Sequence, residues 1–311
     1  MVNVIPVSGA GKDALAVARE VSYSAGEIIM EWWPKAKEVN KKGKDDIVTN
    51  VDRESEQHIT NMLKKSFPAH GVYGEEFKGD DPNKGWTWII DPIDGTRNYA
   101  WGIPLFSLVV ALAKDGEVVV GVNYDPLHGE MFHAALGRGA YLNDDPVKVT
   151  KRNNLDGAVL GMDPAYGTDR GTMDSLQVIR KMWPRIGSVR IMGSSALGIS
   201  YVAAGRTDIY FHHKLQPYDQ AAGLILVEEA GGVITDRTGK RANLQSDGLI
   251  VSSSPIHQDF MKSTKTMSWR NFTDRPGLDD ERESLFHSCI RKDGIRIGVL
   301  GFRVNSIGIG H

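Results

Sequence analysis

The chain has one cysteine, Cys289, among 311 residues. An intrachain disulfide and a thiolate metal cluster are therefore excluded, and a reducing compartment is expected. A basic excess is missing too: 37 Lys and Arg stand against 39 Asp and Glu, for a formal net charge of -2. Nucleic acid and anionic membranes usually select a strongly positive protein, so neither is expected as the main partner, and any anion must be held by a local site. No apolar run approaches the ~20 residues that a membrane span needs. The N-terminus "MVNVIPVSGAGKDALAVARE" lacks a basic flank before an apolar segment, so a cytoplasmic location is expected. Internal repeats and long low-complexity blocks are also lacking. What is present, 41% hydrophobic and 24% charged residues, suffices for a large core in one large domain or two joined halves.

Apolar residues Leu15, Val17, Ala18, Val21, Ala25, Ile28 and Ile29 recur at helical spacing and predict a helix over 12–33 that Pro34 stops. A short extended piece over 47–49 leads into a second helix, with Asp52 as its N-cap and Pro68 as its end. Strands are expected at "TWII", "FSLVVALAK", "EVVVGVNYD" and "GEMFHAAL", with "KDGE" as a hairpin turn. Residues 1–150 thus read as helices laid on an antiparallel sheet. From about 151 to 267 short strands such as "GAVLGM", "SVRIM" and "TDIYF" alternate with helices over 172–182, 195–204 and 218–230, a βαβ-like half. Residues 268–311 form an atypical tail to which no role is assigned. Trp32, Trp33, Trp86 and Trp88 are read as packing residues.

Three acidic groups stand at breaks between elements: Glu75 and Glu76 in "VYGEEF", Asp91 and Asp94 in "DPIDGT", and Asp219 in "LQPYDQAAGLILVEEAGG". Any one of them alone is more simply a cap or turn residue. Asp91 and Asp94, however, end a buried strand only three residues apart, and such carboxylates repel unless something positive lies between them. As a set they are hard oxygen donors with no cysteine nearby, which suits Mg²⁺ or Mn²⁺ rather than zinc.

The segments "GEE", "WIIDPIDGTRNY" and "YDQAAGLILVEEAGG", with "DDIVTNVD" upstream, resemble the signatures of the inositol monophosphatase family of Mg²⁺-dependent, lithium-sensitive sugar phosphatases. The resemblance runs from about 14 to 267. It implies an α/β (α+β) fold, a layered αβαβα sandwich with an antiparallel or mixed sheet in the N-terminal half and a smaller βα sheet in the C-terminal half. It also implies an active site between the halves, and a homodimer. Carried over by position, Glu75, Asp91 and the Ile93 carbonyl would hold one Mg²⁺, and Asp91, Asp94 and Asp219 a second. Two or three ions are implied, with Mn²⁺ as a substitute. Thr96, paired with Asp46, would orient the attacking water, and Gly95 would let the phosphate approach the backbone. Gly193, Ser194 and Ser195 of "GSSA" would donate to the sugar hydroxyls or phosphate.

His212 stands where animal members carry a Glu that binds inositol hydroxyls, a departure that bears on inositol selectivity. The other reading of His212 and His213 is an exposed strand end. Lys42 or Lys44 near the phosphate and Arg97 near the substrate are weaker expectations. The reaction implied is hydrolysis of inositol monophosphate, or a related small phosphate monoester, by metal-activated water. Fructose-1,6-bisphosphatase, histidinol-phosphatase and 3'-nucleotidase activities share the implied metal set. A regulatory protein that binds the transcription machinery is the alternative from a different class.

Overall fold

The computed structural model describes residues 5–33, 35, 38–41, 47–164 and 170–271. Asp46, Lys42, Lys44 and the tail beyond Asn271 lie outside the described residues. The first half contains α1 (Ala14–Trp32), β1 (Val39–Lys41), β2 (Ile47–Thr49), α2 (Asn50–Ser66), β3 (Gly71–Gly74), β4 (Trp86–Asp94) and α3 (Thr96–Trp101). There follow β5 (Ser107–Lys114), β6 (Glu117–Asp125), β7 (Glu130–Ala135), β8 (Ala140–Leu142) and β9 (Asp145–Val147). The rest comprises β10 (Val159–Asp163), α4 (Arg170–Met182), β11 (Ser188–Ile191), α5 (Ser195–Ala203), β12 (Ile209–His212), α6 (Pro217–Glu229), β13 (Val233–Asp236), β14 (Leu249–Ser252) and α7 (Ser254–Thr264).

Strands β3 to β9 form a seven-stranded sheet in sequence order, mixed because β3 pairs parallel to β4 while the other pairs are antiparallel. A five-stranded sheet has the order β11-β10-β12-β14-β13, parallel across β11, β10 and β12 and antiparallel beyond. The β5–β6 turn has positive φ at both Asp115 (50°) and Gly116 (85°), the twist that a tight hairpin requires.

Strand β5 shows how the layers arise. Its side chains alternate between faces: Leu108, Val110 and Leu112 join a core with α1 and α2, whereas Val109, Ala111 and Ala113 join another with α5 and α6. Burial on both faces explains its nearly continuous apolar run. The second core also takes in Tyr210, Leu249 and Val251 of the smaller sheet, so α5 and α6 lie between the two sheets. Val178 and Met182 of α4 and Ile256 and Phe260 of α7 cover that sheet's far side through Leu160, Met162, Ile209, Phe211 and Ile250. The result is the αβαβα sandwich expected from the sequence.

Several local expectations differ from the structure. The cap of α2 is Thr49, whose Oγ1 accepts from the Val51 N–H at 3.2 Å, and Asp52 sits three residues later with its carboxylate accepting from the Thr49 N–H at 2.8 Å. Strand β4 runs past "TWII" to Asp94. The fold also extends beyond 267: Ser268–Asn271 is a 3-10 turn in which Trp269 is fully buried against Phe211 and Phe260.

Candidate active site

The end of β4 brings two acids to one side of the sheet. Asp91 pairs with Val109 and Asp94 with Ser107, so Pro92 and Ile93 on β4 are set against Leu108 alone on β5. This is a bulge, and Pro92, which has no N–H for the ladder, falls within it. In a regular strand residues three apart point to opposite faces, and the extra residue cancels that reversal. Asp219 arrives from the start of α6, where Pro217 begins the helix and the Asp219 carboxylate accepts from the Gln216 N–H at 2.6 Å. Carboxylate oxygens of Asp91, Asp94 and Asp219 lie within 4.8 Å of one another. Glu75, in the turn after β3, hydrogen-bonds Asp91.

Burial, and then the charges of Glu75, Asp94 and Asp219, push the Asp91 carboxyl well above the usual range. Burial raises Asp94 as well, against hydrogen bonds from Ser194, Ser195 and Ala196. Clustered, buried, all-oxygen donors of this kind fit a hard divalent cation.

Thr96 begins α3 directly after Gly95, whose φ of 90° is left-handed. A Cβ on Gly95 would meet the Gly193 carbonyl at 3.0 Å and the Leu105 carbonyl at 3.1 Å, so both the turn and the close packing require glycine. The Thr96 hydroxyl lies 2.9 Å from the Ile93 carbonyl and 3.1 Å from Asp52 Oδ1, and its single proton can go to either. Burial pushes the Asp52 carboxyl up to about 6. Asp52 is thus the acid that meets Thr96 among the described residues, and Asp46 lies outside them. Sequence reading assigned Asp52 to helix capping, and its bond to Thr49 does serve that purpose. The same carboxylate reaches Thr96, 44 residues away, with its other oxygen.

The "GSSA" donors are already engaged. Both serine hydroxyls donate to Asp94, Ser195 at 2.9 Å, and the Ala196 N–H donates to it at 3.0 Å. Asp94 therefore caps the positive end of α5 from across the site. The Gly193 N–H donates to Asp163 Oδ1 at 2.7 Å, an acid that also accepts from the Met192 N–H and the Tyr210 hydroxyl. Gly193, Ser194 and Ser195 line the cavity with these bonds made within the protein. His212 and His213 are 7% and 0% exposed, which corrects the reading of an exposed strand end. The Lys214 N–H donates to His212 Nδ1 at 3.0 Å, and burial lowers this imidazole to about 3. His212 is therefore neutral and carries its proton on Nε2.

One cavity of about 650 Å³ has Glu75, Asp91, Ile93, Asp94, Thr96, His212 and Asp219 in its wall. The sequence pattern of the inositol monophosphatase family matches residues 12–268, nearly all of the described chain. The chain belongs to the inositol monophosphatase family. It is 38% identical over 254 residues to a fructose-1,6-bisphosphatase/inositol-1-monophosphatase of Thermotoga maritima, covering 80% of this chain and 95% of that one. It is 37% identical over 246 residues to the Nus factor SuhB of Salmonella typhimurium, covering 78% and 91%. Among solved structures it resembles the extragenic suppressor protein suhB from Bartonella henselae, with a TM-score of 0.76, 32% identity and coverage of 80% and 97%. The family is one of metal-dependent phosphatases, and the acid cluster supplies a place where this inositol monophosphatase family member could hold a metal. Among the described residues no helix is long and apolar enough to cross a membrane.

Proposed function

We propose that this family member is a Mg²⁺-dependent phosphomonoesterase acting on inositol monophosphate or a related sugar phosphate. The observation that carries the reading is the meeting of Asp91, Asp94 and Asp219 in the same cavity as Thr96, whose hydroxyl reaches the buried Asp52 behind it. The cavity volume, about 650 Å³, lies in the range for small-molecule sites. Glu75, Asp91, the Ile93 carbonyl, Asp94 and Asp219 would hold the ions. A divalent cation bound there neutralises phosphate charge and lowers the pKa of water.

The protein's own groups do the rest. Thr96, with its proton directed to Asp52, presents an oxygen lone pair that orients a water for in-line attack. Asp52 accepts the proton passed along this pair, which requires its carboxyl to be ionised. Gly95 leaves the backbone open to the phosphate oxygens. His212, a neutral Nε2–H donor on the cavity wall, favours an acceptor oxygen on the substrate.

The identity to proteins named Nus factor SuhB supports a second reading, a regulatory protein that binds the transcription machinery. A phosphate-release panel separates the two. Inositol monophosphate, fructose 1,6-bisphosphate, histidinol phosphate and a 3'-nucleotide are compared with Mg²⁺ and with EDTA. Release that needs Mg²⁺ and is lost in Asp94→Asn supports the enzyme. No release from any of them, with regulatory function intact in Asp94→Asn, supports the second reading.

A further inference from the structure

Helix α2 carries a second buried acid one turn beyond Asp52. Glu56 is 1% exposed, and its two oxygens accept from successive backbone groups of the turn after β3: Oε2 from the Glu76 N–H at 2.8 Å and Oε1 from the Phe77 N–H at 2.9 Å. Those two residues directly follow Glu75. A carboxylate bridging adjacent N–H groups fixes the local backbone, and charged acceptors make stronger bonds of this kind than neutral ones.

The approach is close enough to dictate a neighbouring residue. A Cβ on Gly74 would lie 2.0 Å from Glu56 Oε1, so the carboxylate occupies the space that any other residue at 74 would need. Residues Asp52 and Glu56, at i and i+4, lie on the same face of α2. One acid holds the Thr96 hydroxyl and the other holds the Glu75 turn, so a single helical turn spans both parts of the site.

We propose that Glu56 is a positioning residue for cation binding: by clamping the backbone of 76–77 it sets where the Glu75 carboxylate stands relative to Asp91. The cation itself rests on the phosphatase reading above. Glu56 touches neither substrate nor the reacting atoms, and its effect passes through Glu75.

The test is Glu56→Gln, which keeps the shape but turns an NH₂ group toward a backbone N–H donor. Calorimetric titration with Mg²⁺ reads affinity directly, alongside phosphate release as a function of Mg²⁺ and thermal unfolding in EDTA. Outer residues that orient metal ligands typically govern affinity by ~10–100-fold, so we expect Mg²⁺ affinity to weaken by roughly tenfold or more. Turnover at saturating Mg²⁺ should stay within a fewfold of wild type, and Glu56→Asp, which is one carbon short of the turn, should not restore affinity. Gly74→Ala, which displaces the carboxylate from the other side, should reproduce the loss and serves if Glu56→Gln does not fold. Unchanged Mg²⁺ affinity in Glu56→Gln or Gly74→Ala, whatever happens to the melting temperature, overturns the proposal. A wild-type protein that binds no Mg²⁺ overturns the phosphatase reading as well, so the two failures are distinct.

Discussion

Replacing Asp94 with asparagine separates the binding of a cation from the integrity of the fold. The Asp94 carboxylate accepts from Ser194 Oγ and Ala196 N–H on Oδ2 and from Ser195 Oγ on Oδ1. An asparagine oxygen can keep the first two, and its nitrogen then faces Ser195, whose hydroxyl can rotate to accept. Ser195 also donates its backbone N–H to Asp94, so its weakened bonds set a cost in EDTA of about 1–3 kcal/mol. Loss of a buried negative charge beside Asp91 works in the opposite direction, because burial already disfavours the charged Asp94. With Mg²⁺ at a hundredfold excess over its Kd, wild type gains about 2.7 kcal/mol. For a domain of this size that is roughly 5 °C in Tm. Asp94→Asn should show little of this gain, and its turnover should fall by ~100-fold or more, as when a single transition-state contact is lost. Thermal unfolding in EDTA and in Mg²⁺, with phosphate release on the same samples, measures both. A variant that melts far below wild type in EDTA, or that keeps the full Mg²⁺ shift, refutes the reasoning.

Thr96→Val removes the hydroxyl at nearly constant shape and leaves Asp52 its bonds to Thr49. Turnover should fall by ~100-fold or more, while calorimetric Mg²⁺ affinity should hold within a fewfold. Asp52 and Asp163 both stand at about 6 through burial, above the ~3.9 of an unperturbed Asp. Their contribution is fully present below about pH 4 and is lost as pH rises through about 6, opposite in sign to that of buried His212 and His257. The test is therefore the difference in Tm between wild type and Asp52→Asn in EDTA, which should shrink or turn negative for wild type between about pH 4 and 7; a difference that grows in favour of wild type would contradict this. Trp269→Ala should cost about 3–5 kcal/mol in denaturant unfolding, because a fully buried indole leaves a cavity between Phe211 and Phe260.

What was legible in the sequence follows from the range over which each residue acts. Helix α1 and strands β5 and β6 were readable because their apolar spacing reports a buried face directly, and the layered architecture followed from the motif resemblance. Asp91 and Asp94 stood out because acids at the end of a buried strand violate local logic. Asp52 was hidden for the opposite reason: a carboxylate three residues after a cap satisfies a local rule so well that nothing signals its second, distant bond to Thr96. The serines of "GSSA" could be placed near the site by resemblance, but their bonds to Asp94, a partner 100 residues earlier in the chain, were not legible because no local pattern identifies it. Strand β4 continues past the expected "TWII" because a bulge accommodates Pro92. The tail boundary was set too early because Trp269 is buried only by residues that the fold brings to it.

The most direct measurement is anomalous diffraction from crystals grown in Mn²⁺, which locates the ion without reference to any substrate. The account predicts at least one anomalous peak between the carboxylates of Asp91, Asp94 and Asp219, absent from crystals of Asp94→Asn. A fully occupied ion elsewhere on the protein, with none among these three acids, would contradict it.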